Sequence, residues 1–429
     1  MLKNYIKTAF KVFLRRKFFT FVSLFGICFT LTVLMVATTL FDHAVGPYPP
    51  EVNADRTLKV SMVLLAKKNE GPGWQMSSSS LGYGFVDRYV RKLETPEKMA
   101  VLSRLSPSIA YQGDDKVEMQ FMRVNNAYWE VLQFEFIEGR PFSAEEDVAG
   151  AQVAVINEAT RQKLFGGKEA VGRTLETAQQ SYRVVGVVKN APEFCTNAFA
   201  EVWVPVRSSP VESHGRAGFF GPFQVLLLAH TPVDMPRIQA EYAAMLAEVD
   251  LSEVPPYDRI CSSAETAFET YAGLSECNYF GGYFEAGKTN LEVEKRNLIL
   301  KVAGGVLLFL LLPVLNLVNL NTSRILERAS EIGVRKAFGA PSRTLVGQFL
   351  VENLLLTLIG GILSLMTAGL LLEVFETWGW SEYAEFHLNY RIFLAGFGLA
   401  VFFGLLSGVY PAWRMSRLHP TEALRRAKG

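Results

Sequence analysis

The nearest approach to a phosphate cradle in this sequence is the run Gly166-Gly167-Lys168-Glu169. A loop that wraps nucleotide phosphates also needs a leading glycine and a Ser/Thr hydroxyl for Mg2+, in the pattern G-x-x-x-x-G-K-[ST]. Both are missing here. No H-E-x-x-H zinc helix and no G-x-S-x-G nucleophile turn occurs. The five histidines (His43, His214, His230, His387 and His419) are scattered without metal-ligand spacing. Carboxylates are plentiful, but a linear sequence sets no two of them face to face. The chain is therefore expected to hold no catalytic, cofactor or metal site of its own.

Thiol chemistry is the next option. Of four cysteines, Cys28 sits in an apolar run, while Cys195, Cys261 and Cys277 fall in a mixed-polarity region. An oxidising compartment would permit a disulfide there. Cys261 with Cys277 is the natural pair by proximity, and free buried thiols are an equal alternative.

The remaining chemistry is recognition. In the segment Glu327–Ala340 (ERASEIGVRKAFGA), Ile325, Ile332 and Phe338 can share a helical face with the small Ala329 and Gly333. Glu327 and Glu331, four apart, line another face, and Gly339 before Ala340-Pro341 is a reasonable helix stop. Such a helix could dock a partner. Periodicity alone fits a solvated connector equally well.

The elements around that segment settle what kind of protein carries it. The 429 residues are 49% hydrophobic, with 31 phenylalanines, and the apolar residues are concentrated in runs. Four uncharged windows, Phe18–Leu40, Val302–Ser323, Asn353–Leu372 and Ile392–Trp413, reach the roughly 20 residues that a bilayer requires. Charges bound each of them: Lys17, Lys301 and Arg324, Glu352 and Glu373, Arg391 and Arg414. The first is longer than the roughly 7–15 residues of a signal-peptide core and no A-x-A site follows it, so it reads as a retained anchor. The expected fold is a membrane protein of four transmembrane α-helices, one plus three, with a large mixed α+β domain between helices 1 and 2.

Orientation follows Lys and Arg. Lys3, Lys7, Lys11, Arg15, Arg16 and Lys17 precede span one; Arg324, Arg328, Arg335, Lys336 and Arg343 lie between spans two and three. Arg414, Arg417, Arg425, Arg426 and Lys428 follow span four, whereas the loop between spans three and four carries Glu373, Glu376, Glu382 and Glu385 against Arg391. Both termini and the 324–350 loop are expected in the cytoplasm of a bacterial inner membrane. The domain over 41–295 and the short 373–391 loop are then outside.

Residues 1–17 place Leu2, Ile6, Phe10, Phe13 and Leu14 on one face and lysines on the other, as in a helix lying among lipid headgroups. In the outer region, Val153–Ile156 and Tyr182–Val188 read as strands, and Glu158–Leu164 as a short helix ended by Gly166-Gly167. The pieces Gly46–Pro50 and Gly71–Gly73 read as loops. The net charge of +1 gives no general attraction to nucleic acid.

The E-I-G-x-R-x-A-x-G-A pattern over 331–340 closely resembles the MacB/FtsX/LolC-type permeases of ABC transporters. The ending Ser407–Leu424 resembles that family's last span. In the outer region, residues 128–132 (YWEVL), 139–143 (GRPFS), 153–158 (VAVINE), 164–166 (LFG), 170–172 (AVG) and 184–188 (VVGVV) resemble the MacB-type periplasmic core. The likeness runs over most of the chain in family order; the stretch from about 205 to 290 matches no motif.

The resemblance implies that Glu327, Glu331, Ile332, Gly333, Arg335, Lys336 and Gly339 form the helix seated on an ABC ATPase. The short flanks of spans one and four leave no room for an ATPase in this sequence, so two copies of a separate cytoplasmic ATPase, binding ATP and Mg2+, are implied partners. A second permease protomer, identical or not, is implied as well, with membrane lipid around it and room for a periplasmic adaptor. Asn316 and Asn319, polar in span two, and the small Gly360 and Gly361 are the candidate residues for transmembrane dimerisation or packing. Two functions come with the family. One is export or extraction of a hydrophobic or amphipathic substrate, such as an antimicrobial peptide, a macrolide-like compound or a lipoprotein. The other is FtsX-type control of a cell-wall hydrolase without transport.

Overall fold

A computed structural model of the protein describes residues 2–70, 73–112, 115–208, 218–274, 277–280, 283–286, 293–309, 311 and 342–377, with 390–391, 393–398, 401–402 and 405 near the C-terminus. The chain divides into two units. One takes Met1–Asp42 and the described residues from Leu298 onward; the other takes His43–Asn297.

The chain begins with helices α1 (Leu2–Arg15) and α2 (Lys17–Val45). The second is apolar on all sides, which in a helix of 29 residues suits a lipid solvent.

The unit over 43–297 is α+β. In chain order it runs β1 (Thr57–Val60), β2 (Val63–Lys68), β3 (Trp74–Ser79), α3 (Tyr83–Arg88), β4 (Lys98–Ser103), β5 (Ser106–Gln112), β6 (Asp115–Val124), α4 (Tyr128–Val131), β7 (Phe136–Gly139) and α5 (Ala144–Val148). It continues with β8 (Val153–Asn157), α6 (Glu158–Phe165), β9 (Thr174–Thr177), β10 (Ser181–Val188), β11 (Val202–Pro205), β12 (Phe223–Leu228) and α7 (Met235–Ala247). It ends with β13 (Arg259–Cys261), β14 (Glu265–Thr266), α8 (Ala267–Ala272), β15 (Cys277–Phe280) and β16 (Tyr283–Ala286).

Six of these strands close on themselves. The order β11-β8-β10-β9-β5-β6 returns to β11 through a parallel β6–β11 pairing, with Val202 opposite Phe121 and Val204 opposite Arg123. Closure removes the free edges that an open sheet would present. The strand period of two then sorts the side chains. From β8, Ala154 and Ile156 point into the barrel, while Val153 and Val155 point out into a second apolar layer. That is why all five residues of β8 are buried and no polar–apolar alternation is written there.

Beyond β6 the sheet continues as β4-β12-β1-β14. Leu58, Val60, Val225 and Leu227 of its strands pack with Ile238 and Tyr242 of α7 in a further core. Between the two cores lies an aromatic block. Tyr128 Oη donates to the Asn197 carbonyl at 2.9 Å and accepts from Trp203 Nε1 at 3.2 Å, and Trp129 meets Trp203 edge to face.

The sequence motifs of this unit are mostly fold devices. Gly139 has φ +65°, and a methyl group there would come within 2.2 Å of the Val185 carbonyl oxygen. Ser143 caps α5 in a reciprocal box with Glu146, whose carboxylate also accepts from Nη1 and Nη2 of Arg140, at 2.8 and 2.9 Å. Asn157 caps α6 by accepting from Thr160 N at 2.8 Å, and Gly166 ends that helix in the left-handed conformation.

Helix α9 (293–309) begins in the second unit and carries the chain into the first at Leu298, where α10 (Ser342–Thr377) follows. Among the described residues two helices are long and apolar enough to cross a bilayer, over Lys17–His43 and Leu350–Glu376. Expected spans two and four fall partly outside the described residues; their described parts, 302–309, 311, 393–398, 401–402 and 405, are helical.

Candidate functional site

Among the described residues no three His, Cys, Asp or Glu side chains gather in a way that could hold a metal ion. The Cys195 thiol is buried and pushed up to about 12 by that burial, which removes it as a nucleophile.

The coupling residues Glu327, Glu331, Ile332, Gly333, Arg335, Lys336 and Gly339, and the span-two pair Asn316 and Asn319, lie outside the described residues. Gly360 and Gly361 are described. A methyl group on Gly360 would come within 2.7 Å of Ile27 Cγ2 on α2, and one on Gly361 within 2.1 Å of Phe397 Cε2. Both glycines thus let neighbouring helices of the same chain approach closely. The α2–α10 seam continues with Thr32 Oγ1 and Thr367 Oγ1 at 2.6 Å and Cys28 Sγ and Thr367 Oγ1 at 3.7 Å. In lipid, hydroxyl pairs and small residues replace the hydrophobic effect as the source of helix association.

Helix α1 buries Ala9 and Phe13 in a cluster with Ile27, Leu31 and Leu356, while Phe10 and Leu14 remain exposed. On α2 the rings of Phe21, Phe25 and Phe29 stack at i, i+4 spacing along an exposed face, with centroids 6.1 and 5.9 Å apart. Near the start of α10 a polar pair is buried: Glu352 and Asn353 are 1% and 2% exposed, and Gln348 Nε2 donates to Glu352 Oε1 at 3.2 Å. By sequence alone Glu352 marks only the charged boundary of a span.

Two junctions lead from these helices into the outer unit. At the end of α2 the His43 ring stacks on Tyr48 at 4.1 Å and is almost fully buried. At the start of α9, Lys295 Nζ lies 2.5 Å from Glu269 Oε1 of α8. Glu269 is 1% exposed, and its other oxygen accepts from Thr266 N at 2.6 Å in the capping box that opens α8. The disulfide Cys261–Cys277 closes the loop that carries this helix. Nothing in the 205–290 stretch marks these residues by motif. The only available signals were the T-x-x-E spacing of Thr266 and Glu269 and the cysteine pair.

Most of the first membrane helix and the outer unit as far as residue 245 match the MacB-like periplasmic core domain, over residues 20–245. The C-terminal part matches the FtsX-like permease C-terminal domain over 304–420. The chain is 24% identical over 301 residues to the macrolide export ATP-binding/permease protein MacB of Pasteurella multocida, covering 70% of this chain and 42% of that protein. It is 24% identical over 344 residues to the uncharacterized ABC transporter permease YknZ of Bacillus subtilis, covering 80% of this chain and 79% of that one. Among solved structures, the periplasmic region of MacB from Actinobacillus actinomycetemcomitans aligns with 53% of this chain and 94% of its own, at 13% identity and a TM-score of 0.35. The chain spans about half the length of several MacB proteins that it matches. With both family domains present in series, this chain belongs to the MacB/FtsX-type family of ABC transporter permeases.

Proposed function

We propose that the protein is the membrane subunit through which a cytoplasmic ATPase moves a periplasmic domain, so that a hydrophobic or amphipathic substrate is exported or extracted. The observation that carries this reading is the series order of the two domains, joined by a helix with a charged anchor. Helix α9 leads from the Glu269–Lys295 contact toward the FtsX-like part, so a tilt of span two would pull on α8 of the periplasmic core.

Two protomers of four spans each, with both termini in the cytoplasm, would sit on two ATPase subunits. The helix over Glu327–Gly339 is the docking element, with Glu331, Ile332, Gly333 and Arg335 as its contacts. ATP and Mg2+ bind the ATPase, consistent with the lack of a Walker sequence in this chain. Relatives named for macrolide export favour a substrate of amphipathic character.

Replacing Glu331 and Arg335 by alanine is expected to abolish co-purification of the ATPase while membrane insertion stays intact. Normal co-purification would remove the docking assignment. In nanodiscs, stimulation of the ATPase by an amphipathic compound supports transport; stimulation by a cell-wall hydrolase would point to the FtsX-type regulatory role.

A further inference from the structure

A cavity of about 250 Å3 opens within the periplasmic core, between β1, α4, the 196–197 turn and α8. Its walls are apolar at Val131, Leu132 and Leu226, yet Glu51 and Lys59 both line it. Lys59 is the anomaly. It sits on β1, a central strand paired with β12 on one side and β14 on the other. Its neighbours Leu58 and Val60 fill the core on the opposite face, so strand alternation turns Lys59 toward the cavity.

The two charges attract each other across the cavity without closing into a direct ion pair. Among the described residues the Lys59 ammonium makes no hydrogen bond or salt bridge, and the carboxylates that act on it from further off are Glu51 and Glu265. Its cross-strand neighbour Glu265 is occupied by hydroxyls, accepting from Ser263 Oγ at 2.7 Å and Thr270 Oγ1 at 3.4 Å. The Glu51 carboxylate accepts from Asn197 alone among the described residues, from its side-chain amide at 3.2 Å and from its backbone N–H. Asn197 Oδ1 is itself buried without a hydrogen-bond partner. Burial raises the Glu51 pKa and lowers that of Lys59, so each group is held at a cost that a complementary ligand would relieve. Opposite charges that line one largely apolar cavity without a direct bridge between them are the pattern of a binding site.

We infer that this cavity binds a small zwitterion, with its primary ammonium on Glu51 and Asn197, its anionic group on Lys59, and an aliphatic part against Val131, Leu132 and Leu226. The cavity is smaller than the roughly 300–1,000 Å3 of sites for drug-sized molecules, so it suits an amino acid, a short peptide or an ethanolamine-phosphate headgroup and excludes a macrolide. The inference is independent of ATPase docking.

The experiment is calorimetric titration of the full chain in detergent with three probes: the dipeptide Ala-Leu, its N-acetylated amide, which carries neither charge, and glycerophosphoethanolamine. Saturable binding of a zwitterion and none of the capped peptide is expected. Ala-Leu alone would identify a free peptide source, and glycerophosphoethanolamine alone a lipid headgroup. Glu51→Gln and Lys59→Met should each weaken binding about tenfold or more, the effect of losing one charge-assisted contact. Equal binding of the capped peptide, or none by either zwitterion, would overturn the assignment. That arm uses the unaltered protein and stands even where a variant fails to fold.

Discussion

Lys295 at the start of α9 and Glu269 on α8 face each other at 2.5 Å, with Glu269 almost wholly buried. This is the described charge pair that links the helix leading to the FtsX-like domain with the disulfide-closed loop of the periplasmic core.

Breaking this pair from one side leaves a buried carboxylate without its cation. Lys295→Met is expected to destabilise the periplasmic core by roughly 1–3 kcal/mol, the penalty of an uncompensated buried charged group. Lys295→Met with Glu269→Gln should recover part of that loss. A double-mutant cycle on thermal melts reads the coupling, and additive effects would show that the two residues do not act as a pair.

The disulfide holds the same wall. Cys261 and Cys277 are 16 residues apart, and cross-linking a loop of that length contributes about 3 kcal/mol through the unfolded chain. Reductant, or Cys261→Ser with Cys277→Ser, should lower the melting temperature of the periplasmic core. An unchanged melt would mean that the Ala267–Ala272 helix is held by its packing alone.

Much of this architecture was legible in the sequence because it is written locally. The Gly166 stop and the strands over 153–157 and 181–188 appear where turn formers and β-branched residues placed them. The barrel was not legible. Its closure depends on Val202–Pro205 pairing in parallel with Phe121–Val124, some eighty residues earlier, and no local signal encodes that register. The charged residues of the cavity were equally hidden. Glu51 and Lys59 look like ordinary surface charges until the Tyr128–Leu132 and Ala267–Tyr271 segments cover them. The motif residues Tyr128, Trp129, Gly139 and Ser143 drew attention as family marks, and their work is to build the fold.

The seam between α2 and α10 offers a direct distance test. Cys28 Sγ lies 3.7 Å from Thr367 Oγ1. Thr367→Cys should therefore cross-link with Cys28 under mild oxidation in membranes, a reaction that demands Cα atoms within about 7 Å. Adding Gly360→Leu places a side chain where Ile27 now packs and should suppress the cross-link. Undiminished cross-linking in the double variant would mean that the seam does not require a small residue at position 360.

Acid should loosen the periplasmic core through Glu138. Burial opposes ionisation of this carboxyl, but the Ala170 amide at 3.0 Å and the Arg161 guanidinium at 2.7 Å outweigh it and hold its pKa below the ordinary 4.5. A carboxylate with a depressed folded-state pKa contributes stability that is complete above the unfolded value. That contribution is lost as pH falls through the folded one. Melts of the natural protein should therefore be insensitive to Glu138 above about pH 5 and decline in the acid range below 4.5. Glu138→Gln should be less stable at neutral pH, because Arg161 loses its carboxylate, and its acid decline should be shallower. Parallel pH profiles for the two proteins would show that Glu138 has the same pKa folded and unfolded, and the Arg161 contact would then contribute nothing to holding α6 against β7.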